Sequence, residues 1–383
     1  MDPHAMRVFS TALIRENPFV NEDKVQAACI QALRTGSFVL QNGSLTTLPA
    51  EIKLLTDLQH LDLSWNILTT IPLELCDLPL LESLDFSNNP LTALPDWLAR
   101  NQLRHLKLGF TWLTTLPETI GHIPRLLTLD ISGNKISEFP PSFHSLTSLE
   151  SFAADNTGLI AIPSWLEQCY QLRTISICSL KNIEIPPWFW DFRNLEILQM
   201  LGNHMESISN DIHKLTKLRY INLNSNGLYT LPEAFSQLIN LQKISLGFNI
   251  FETFPTTINT IPHLRDLDLS GNNLVNFSVE ERGLKNIYGL NLQRNKIQRI
   301  LGDMKNMQNI CWIDLNQNNL GELPFDIMSL PKLQWIDVSG NPSLELPHGL
   351  SYGPELHSLT IDKRLEKSIS PDLRHQLQSL VLM

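Results

Sequence analysis

The stretch Leu61-Asp62-Leu63-Ser64-Trp65-Asn66-Ile67-Leu68-Thr69-Thr70-Ile71-Pro72 is answered far downstream by Leu267-Asp268-Leu269-Ser270-Gly271-Asn272-Asn273-Leu274. Laid over one another, the two give the template LxxLxLxxNxLxxLP. Carried along the chain, its Asn column falls at 43, 66, 89, 111, 134, 157, 180, 203, 226, 249, 272, 295, 318, 341 and 364. These 15 positions span 321 residues in 13 steps of 23 and one of 22, so a single structural unit recurs almost end to end. Asn itself fills 10 of them, and Gly43, Thr111, Thr157, Leu180 and Arg364 are the exceptions.

A unit of this length cannot bury its leucines alone, but stacked copies share one core. The alternating leucines of 59–63 describe a short strand with one set of side chains turned inward. Asn suits the tight turn after the strand because its amide both donates to and accepts from neighbouring backbone. Stacked Asn side chains therefore predict a hydrogen-bonded ladder, weakened and least regularly curved between 111 and 180, where Thr and Leu intrude. Proline stands six residues past the ladder in 11 coils, from Pro49 to Pro347, and suits extended or helix-starting backbone on the convex side. Trp97, Trp165 and Trp188, eight past the ladder, with Trp190 nearby, are expected to cover the convex edge of the core.

Both ends carry cap signatures. Residues 1–35 read as a tail and a capping helix, with Asn21 as N-cap, Val25, Ala28, Cys29, Ala32 and Leu33 as the apolar stripe, and Gly36 as terminator. Residues 36–364 are the solenoid. In 365–383, Ser370-Pro371-Asp372 starts a second capping helix with Leu373, Leu377, Leu380 and Val381 facing the last coil. Only 19 residues follow Arg364, so no catalytic domain is expected after the repeats.

Of the 383 residues, 43% are hydrophobic and 18% charged, and the formal net charge is −10. That sign disfavours partners recognised through phosphate, namely nucleic acid and anionic membrane surfaces. No apolar stretch approaches the ~20 residues of a bilayer span, and the run from Met6 to Ile14 is closed by Arg15 and Glu16 before it could serve as a secretory segment. The 5 cysteines form no CxxC and no paired cluster, which points to a reducing, cytoplasmic working compartment. Phosphate-loop, HExxH, GxSxG and EF-hand motifs are absent, and the 11 histidines are scattered. No enzyme, metal or cofactor is expected.

Recognition should then rest on strand positions facing solvent, which lie seven, six, four, two and one residues before the ladder. They expose two aromatic groupings. The first contains His60, Trp65, Arg104, His105, Lys107 and Phe110. The second contains Arg219, Tyr220, Lys243, Phe248, Tyr288, Arg294, Trp312 and Trp335. Trp312 and Trp335 share one column in adjacent coils, about 5 Å apart, and are expected to form an exposed aromatic plate. A third column is acidic, through Asp62, Asp85, Asp130, Asp268, Asp314 and Asp337. It reads either as solvated strand polar groups or as a floor drawing a basic partner toward the plate. The candidate partner-binding residues are His60, Trp65, His105, Phe110, Tyr220, Phe248, Tyr288, Arg294, Trp312, Asp314, Trp335 and Asp337.

The template is that of the leucine-rich repeat, and the chain is identified by it as a member of that family over roughly 36–364. The resemblance implies a right-handed horseshoe with a parallel concave sheet of about 15 coils and helical caps at both ends. The LPxxI segments Leu116-Pro117-Glu118-Thr119-Ile120 and Leu231-Pro232-Glu233-Ala234-Phe235 resemble the intracellular Ras-group-related class, whose members are cytosolic scaffolds. Caps and repeats alone also resemble repeat-only effectors that intracellular bacterial pathogens inject through Dot/Icm-like type IV secretion. The resemblance implies a monomeric, non-catalytic module that binds a host protein on its concave face in the host cytosol, with an endogenous signalling scaffold as the first alternative and an enzyme of unrecognised type as the second.

Overall fold

The computed structural model describes every residue except 101, 182, 280–282, 325 and 347–351, and all side chains but that of residue 100 among the rest. Pro347 of the proline column lies outside the described residues. The chain forms two compact units, Met1–Phe192 and Arg193–Met383. The first carries two helices followed by seven parallel strands. The second carries nine parallel strands, a separate two-stranded pair and a short helix. Within each unit the large-sheet strands follow chain order in the right-handed solenoid expected of the repeat.

Each strand is short because only its central residue and the leucine after it need enter the core. In His60–Asp62 the side chain of Leu61 is buried while His60 faces solvent, and later strands keep the central residue buried beside a first residue that is exposed or half-buried, except at Gly289, which is buried. Leu84, Leu129, Ile221, Leu267, Ile313 and Ile336 occupy the same inward position and are buried, each contributing on the order of 2 kcal/mol. Pairing advances by one repeat at a time, as in His60↔Ser83 and Trp312↔Trp335.

The return path on the far side is set by the proline column. Pro72, Pro117 and Pro232 hold φ at −70°, −71° and −66° and lead directly into one-turn 3-10 helices, Leu73–Asp77, Glu118–His122 and Glu233–Gln237. Where Ser209 replaces proline, its hydroxyl accepts from the Asp211 N–H at 3.1 Å and the 3-10 turn survives. Where Ser278 and Leu301 replace it, the return stays extended. Asn276–Val279 then pairs in parallel with Arg299–Gly302. Trp97, Trp165 and Trp190 are buried and Trp188 half-buried, so these residues do close the core on this side. Trp165 sits edge-on to Phe139, Phe143 and Phe152, with centroids 5.3, 5.4 and 5.4 Å away.

The asparagine ladder has the predicted chemistry. Asn66 Oδ1 accepts from the N–H groups of Gly43 and Leu45 at 2.9 and 3.0 Å, while Nδ2 donates to the carbonyls of Leu40 and Leu63, both at 2.9 Å. Asn134, Asn226, Asn249, Asn272, Asn295, Asn318 and Asn341 donate in the same way to carbonyls of their own and the preceding coil. Thr111 and Thr157 keep the carbonyl of their own strand within reach, Leu108 O and Ala154 O at 2.9 Å, and the Thr111 hydroxyl also lies 2.7 Å from Asn134 Oδ1 of the next rung. Arg364 completes the series by reaching back to Leu344 O and Asn341 O at 2.8 and 2.6 Å.

Both ends are capped, with differences from expectation. The second helix, α2 (Glu22–Thr35), has Asn21 accepting from Lys24 N–H and Gly36 in the left-handed region at φ 71°. The expected tail is helical as well: α1 (Pro3–Glu16), capped by Asp2, buries Met6, Phe9 and Leu13. Phe9 meets Phe38 of the first strand edge-on at 5.4 Å. Asn17, buried after α1, donates to Leu13 O and Thr47 O and accepts from Thr46 N–H at 2.8 Å, which bolts the helix to the first coil. At the other end α3 (Pro371–Gln376) is shorter than expected. Leu373 is buried, but Leu380 and Val381 belong to a sixteenth strand, Ser379–Leu382, paired with Ser358–Ile361. The open sheet edge offers main-chain partners, and Gln378 and Ser379 donate to His357 O at 2.8 and 3.0 Å instead of extending the helix.

Candidate functional site

The solvent face of the strands in the second unit gathers most of the candidate residues. One row in register runs Tyr220, Lys243, Asp266, Gly289, Trp312, Trp335. Lys243 Nζ stands over the Tyr220 ring, 5.2 Å from its centroid. The indoles of Trp312 and Trp335 lie 6.3 Å apart and tilted by 54°. Neither is fully exposed, and both are half-buried, so the expected plate is more recessed than the column alone implies. Gly289 is the reason: a Cβ there would lie 2.2 Å from the Trp312 ring, so the indole lies down across the neighbouring strand. Tyr220, Lys243, Asp266, Asp268 and Trp312 share a cup of about 350 Å³.

A second row sits one residue before the ladder, where the turn demands left-handed backbone. Gly133, Gly202, Gly271 and Gly340 fill it without strain, yet Trp65, Phe110, Phe248 and Arg294 adopt φ of 60°, 55°, 55° and 54° there. The three aromatics remain 58, 54 and 52% exposed. Phe110 and Phe248 belong to one cassette used twice, Leu108-Gly109-Phe110 and Leu246-Gly247-Phe248, each followed one coil later by Ser-Gly-Asn. The phenyl rings lie on Gly133 and Gly271, whose added Cβ atoms would fall 2.4 and 2.7 Å from them. Arg294 Nε donates to Gln317 Oε1 at 3.2 Å in the next coil.

The acidic column has a role that column reading missed. Oδ1 of Asp62, Asp85, Asp130, Asp268, Asp314 and Asp337 accepts the N–H of the residue two further on, at 2.8 to 3.0 Å, and closes the turn that ends the strand. Asp337 also accepts from Ser339 Oγ and is buried. Asp314 is half-buried, and desolvation, with Asp337 and Asp268 adding to it, holds its carboxyl above the usual range against the lowering pull of the Asn316 N–H.

In the first unit, Trp65 and Phe110 project to solvent with His60 on the same face, while His105 is half-buried with Nδ1 3.0 Å from Thr128 Oγ1. Burial, helped by His60, Lys107 and Arg104, keeps the imidazole of His105 below its ordinary pKa. Arg104 and Lys107 pair with Glu82 and Asp85 at 3.6 and 3.7 Å. The basic residues of this grouping are thus matched within the sheet.

Among the described residues no group of three or more His, Cys, Asp or Glu side chains is arranged to hold a metal ion. Burial pushes the Cys29 and Cys169 thiols up to about 11 and about 12, in keeping with inert core residues, whereas Cys76 is half-buried. No helix among the described residues is long and apolar enough to cross a membrane.

Comparison with known proteins gives the same picture. Profiles of the leucine rich repeat match residues 285–342 and, as single repeats, 57–78, 80–101, 125–146 and 217–238. No curated protein matches the chain. Among solved structures it is similar to a leucine-rich-repeat protein of Leptospira interrogans at 28% identity, covering 92% of this chain and 86% of that one with a TM-score of 0.63. An internalin of Listeria monocytogenes shares the fold at 16% identity over 85% of this chain and 96% of its own, TM-score 0.67. The Arabidopsis receptor kinase HAESA, solved with the peptide hormone IDA and a co-receptor, shares it at 20% identity over 92% and 73%, TM-score 0.61. Repeat template, asparagine rungs, strand register and these matches converge: the chain belongs to the leucine-rich-repeat proteins.

Proposed function

We propose that this chain is a non-catalytic recognition module that holds a partner protein on the solvent face of its second-unit strands. The observation that carries this reading is the half-buried pair Trp312 and Trp335, in register on adjacent strands and on the same face as Tyr220 and Tyr288, at positions the core does not need. Aromatic side chains held rigid on a sheet bring large contact area at small entropic cost, and they dominate the energetics of protein interfaces. The setting we infer is a bacterial effector acting on a host protein in the host cytosol. The likeness to a repeat protein of the bacterium Leptospira interrogans supports its bacterial part. A photo-cross-linker placed at Tyr288 should join to a protein captured from host lysate, while one at Ile239, on the far side, should not. Equal cross-linking from both positions contradicts the assignment of the face.

A further inference from the structure

In the column seven residues before the ladder, three arginines each stand one coil after a glutamate. Arg104 pairs with Glu82, Arg173 with Glu150 and Arg219 with Glu196, at 3.6, 3.9 and 3.9 Å. Arg265 breaks the pattern. It stands between Gln242 and Tyr288, and among the described residues no carboxylate comes within ion-pair distance of it. Two residues earlier in each coil run His263, Asn286, Asn309 and Lys332. There Lys332 Nζ donates to Asn309 Oδ1 at 2.8 Å, so its charge meets a neutral acceptor. These side chains line a groove of about 670 Å³ along the entry edge of the strands, with Tyr288 as a wall and Asp266 as the single acidic group. In a chain of net charge −10, this is a place where the two permanent cations outnumber the lining carboxylate.

We propose that this groove binds an acidic, extended segment of the partner protein, taking one carboxylate at Arg265 and a second at Lys332. The proposal rests on the recognition reading above and names the chemistry of the partner. An unpaired guanidinium presents a planar fork of donors matched to a carboxylate, and Lys332 supplies a point charge. The two residues stand three coils apart, which at the strand spacing is about 14 Å. An extended chain advances about 3.3 Å per residue, so two acidic residues four positions apart span that distance. A single phosphate cannot bridge it, and Asp266 disfavours a dianion.

The test uses the full chain and a fluorescein-labelled Gly/Ser decapeptide with two glutamates four positions apart, titrated by anisotropy at low salt. Controls carry glutamines, two lysines, or two adjacent glutamates. The spaced glutamate peptide should bind at least tenfold more tightly than the glutamine peptide and several-fold more tightly than the adjacent one. Arg265→Gln and Lys332→Gln should each weaken it five- to tenfold. Gln242 and Gln334 already occupy the Arg265 column, so the first variant suits the fold, and circular dichroism melts verify both. Equal binding of glutamate and glutamine peptides, no response to either substitution, or displacement by inorganic phosphate without regard to spacing would overturn the proposal. If the peptide fails to bind while a captured partner still depends on Trp312 and Trp335, the groove assignment falls and the recognition face stands.

Discussion

Asn272 is the rung best placed to reveal what the ladder contributes. Its Oδ1 accepts the Phe251 N–H at 3.1 Å, and Nδ2 donates to Leu246 O at 2.9 Å and Leu269 O at 3.0 Å. All of these groups are buried, so Asn272→Ala leaves an N–H with no partner, a loss of roughly 1–3 kcal/mol, and strips one bond from each of two carbonyls at roughly 0.5–1 kcal/mol apiece. The sum is about 3 kcal/mol. Asn272→Thr should cost less, about 2 kcal/mol, because a threonine here can repeat the donation that Thr157 makes to the carbonyl three residues back, at 2.9 Å. A solenoid transmits such a loss to its nearest neighbours, so the readout is hydrogen–deuterium exchange coil by coil alongside urea unfolding. Peptides covering the coils on either side of Asn272 should lose protection in the order Asn, Thr, Ala, while α1 and α2 stay unchanged. A loss below about 1 kcal/mol for alanine, or equal losses for Thr and Ala, would refute the assignment of the ladder as a hydrogen-bonding device.

Two further outcomes follow from the site. Asp314→Asn should stabilise the protein at neutral pH, because a carboxyl held above its ordinary pKa is favourable when protonated and becomes a cost as pH rises through its folded value. Asn222 and Asn291 already close the same turn, accepting from Asn224 and Gln293 N–H at 3.1 and 3.2 Å, so the turn survives the change. The advantage should shrink as pH is lowered toward 3.8 in thermal melts, and an advantage that grows on acidification contradicts the shift. Phe248→Gly relieves about 1–2 kcal/mol of left-handed strain, offset by about 1 kcal/mol of lost ring packing and up to ~1 kcal/mol of chain entropy. Stability should stay within about 1 kcal/mol of the parent while partner affinity falls tenfold or more. A destabilisation of several kcal/mol with affinity intact would make Phe248 a packing residue.

What could be read from residues alone follows the distinction between periodic and non-periodic information. The strand, rung and proline columns recur every repeat, so Asn66, Asn272 and Pro72 announce their roles by position. Cap α2 was legible for the same kind of reason, since Asn21 and Gly36 bracket a helical stripe. Helix α1 was not: its Met6, Phe9 and Leu13 read as an apolar run too short to serve as a secretory segment, and only contact with Phe38 reveals them as core. The stance of Trp312 escaped because its cause, Gly289, lies one coil away in sequence and matters only through the missing Cβ. Ring packing of Phe110 and Phe248 was hidden likewise, although the repeated Leu-Gly-Phe cassette is visible once the coils are aligned. The acidic column was legible in principle. An Asp followed two residues later by Ser or Asn is turn-closing chemistry, whereas the column alone reads as solvated strand polarity or as an acidic floor for a basic partner. Arg265 was visible as an arginine lacking the glutamate neighbours that its column supplies elsewhere, but the groove it lines depends on five coils at once.

The account as a whole stands on the strand face of the second unit as the surface that holds a partner. Its most direct test is calorimetric titration of the captured partner against the parent chain and against the double substitution Trp312→Ala, Trp335→Ala, with circular dichroism to verify the fold. The account predicts an intact fold and a loss of more than ~2 kcal/mol, about thirtyfold in affinity. A folded double variant that binds as tightly as the parent would contradict it.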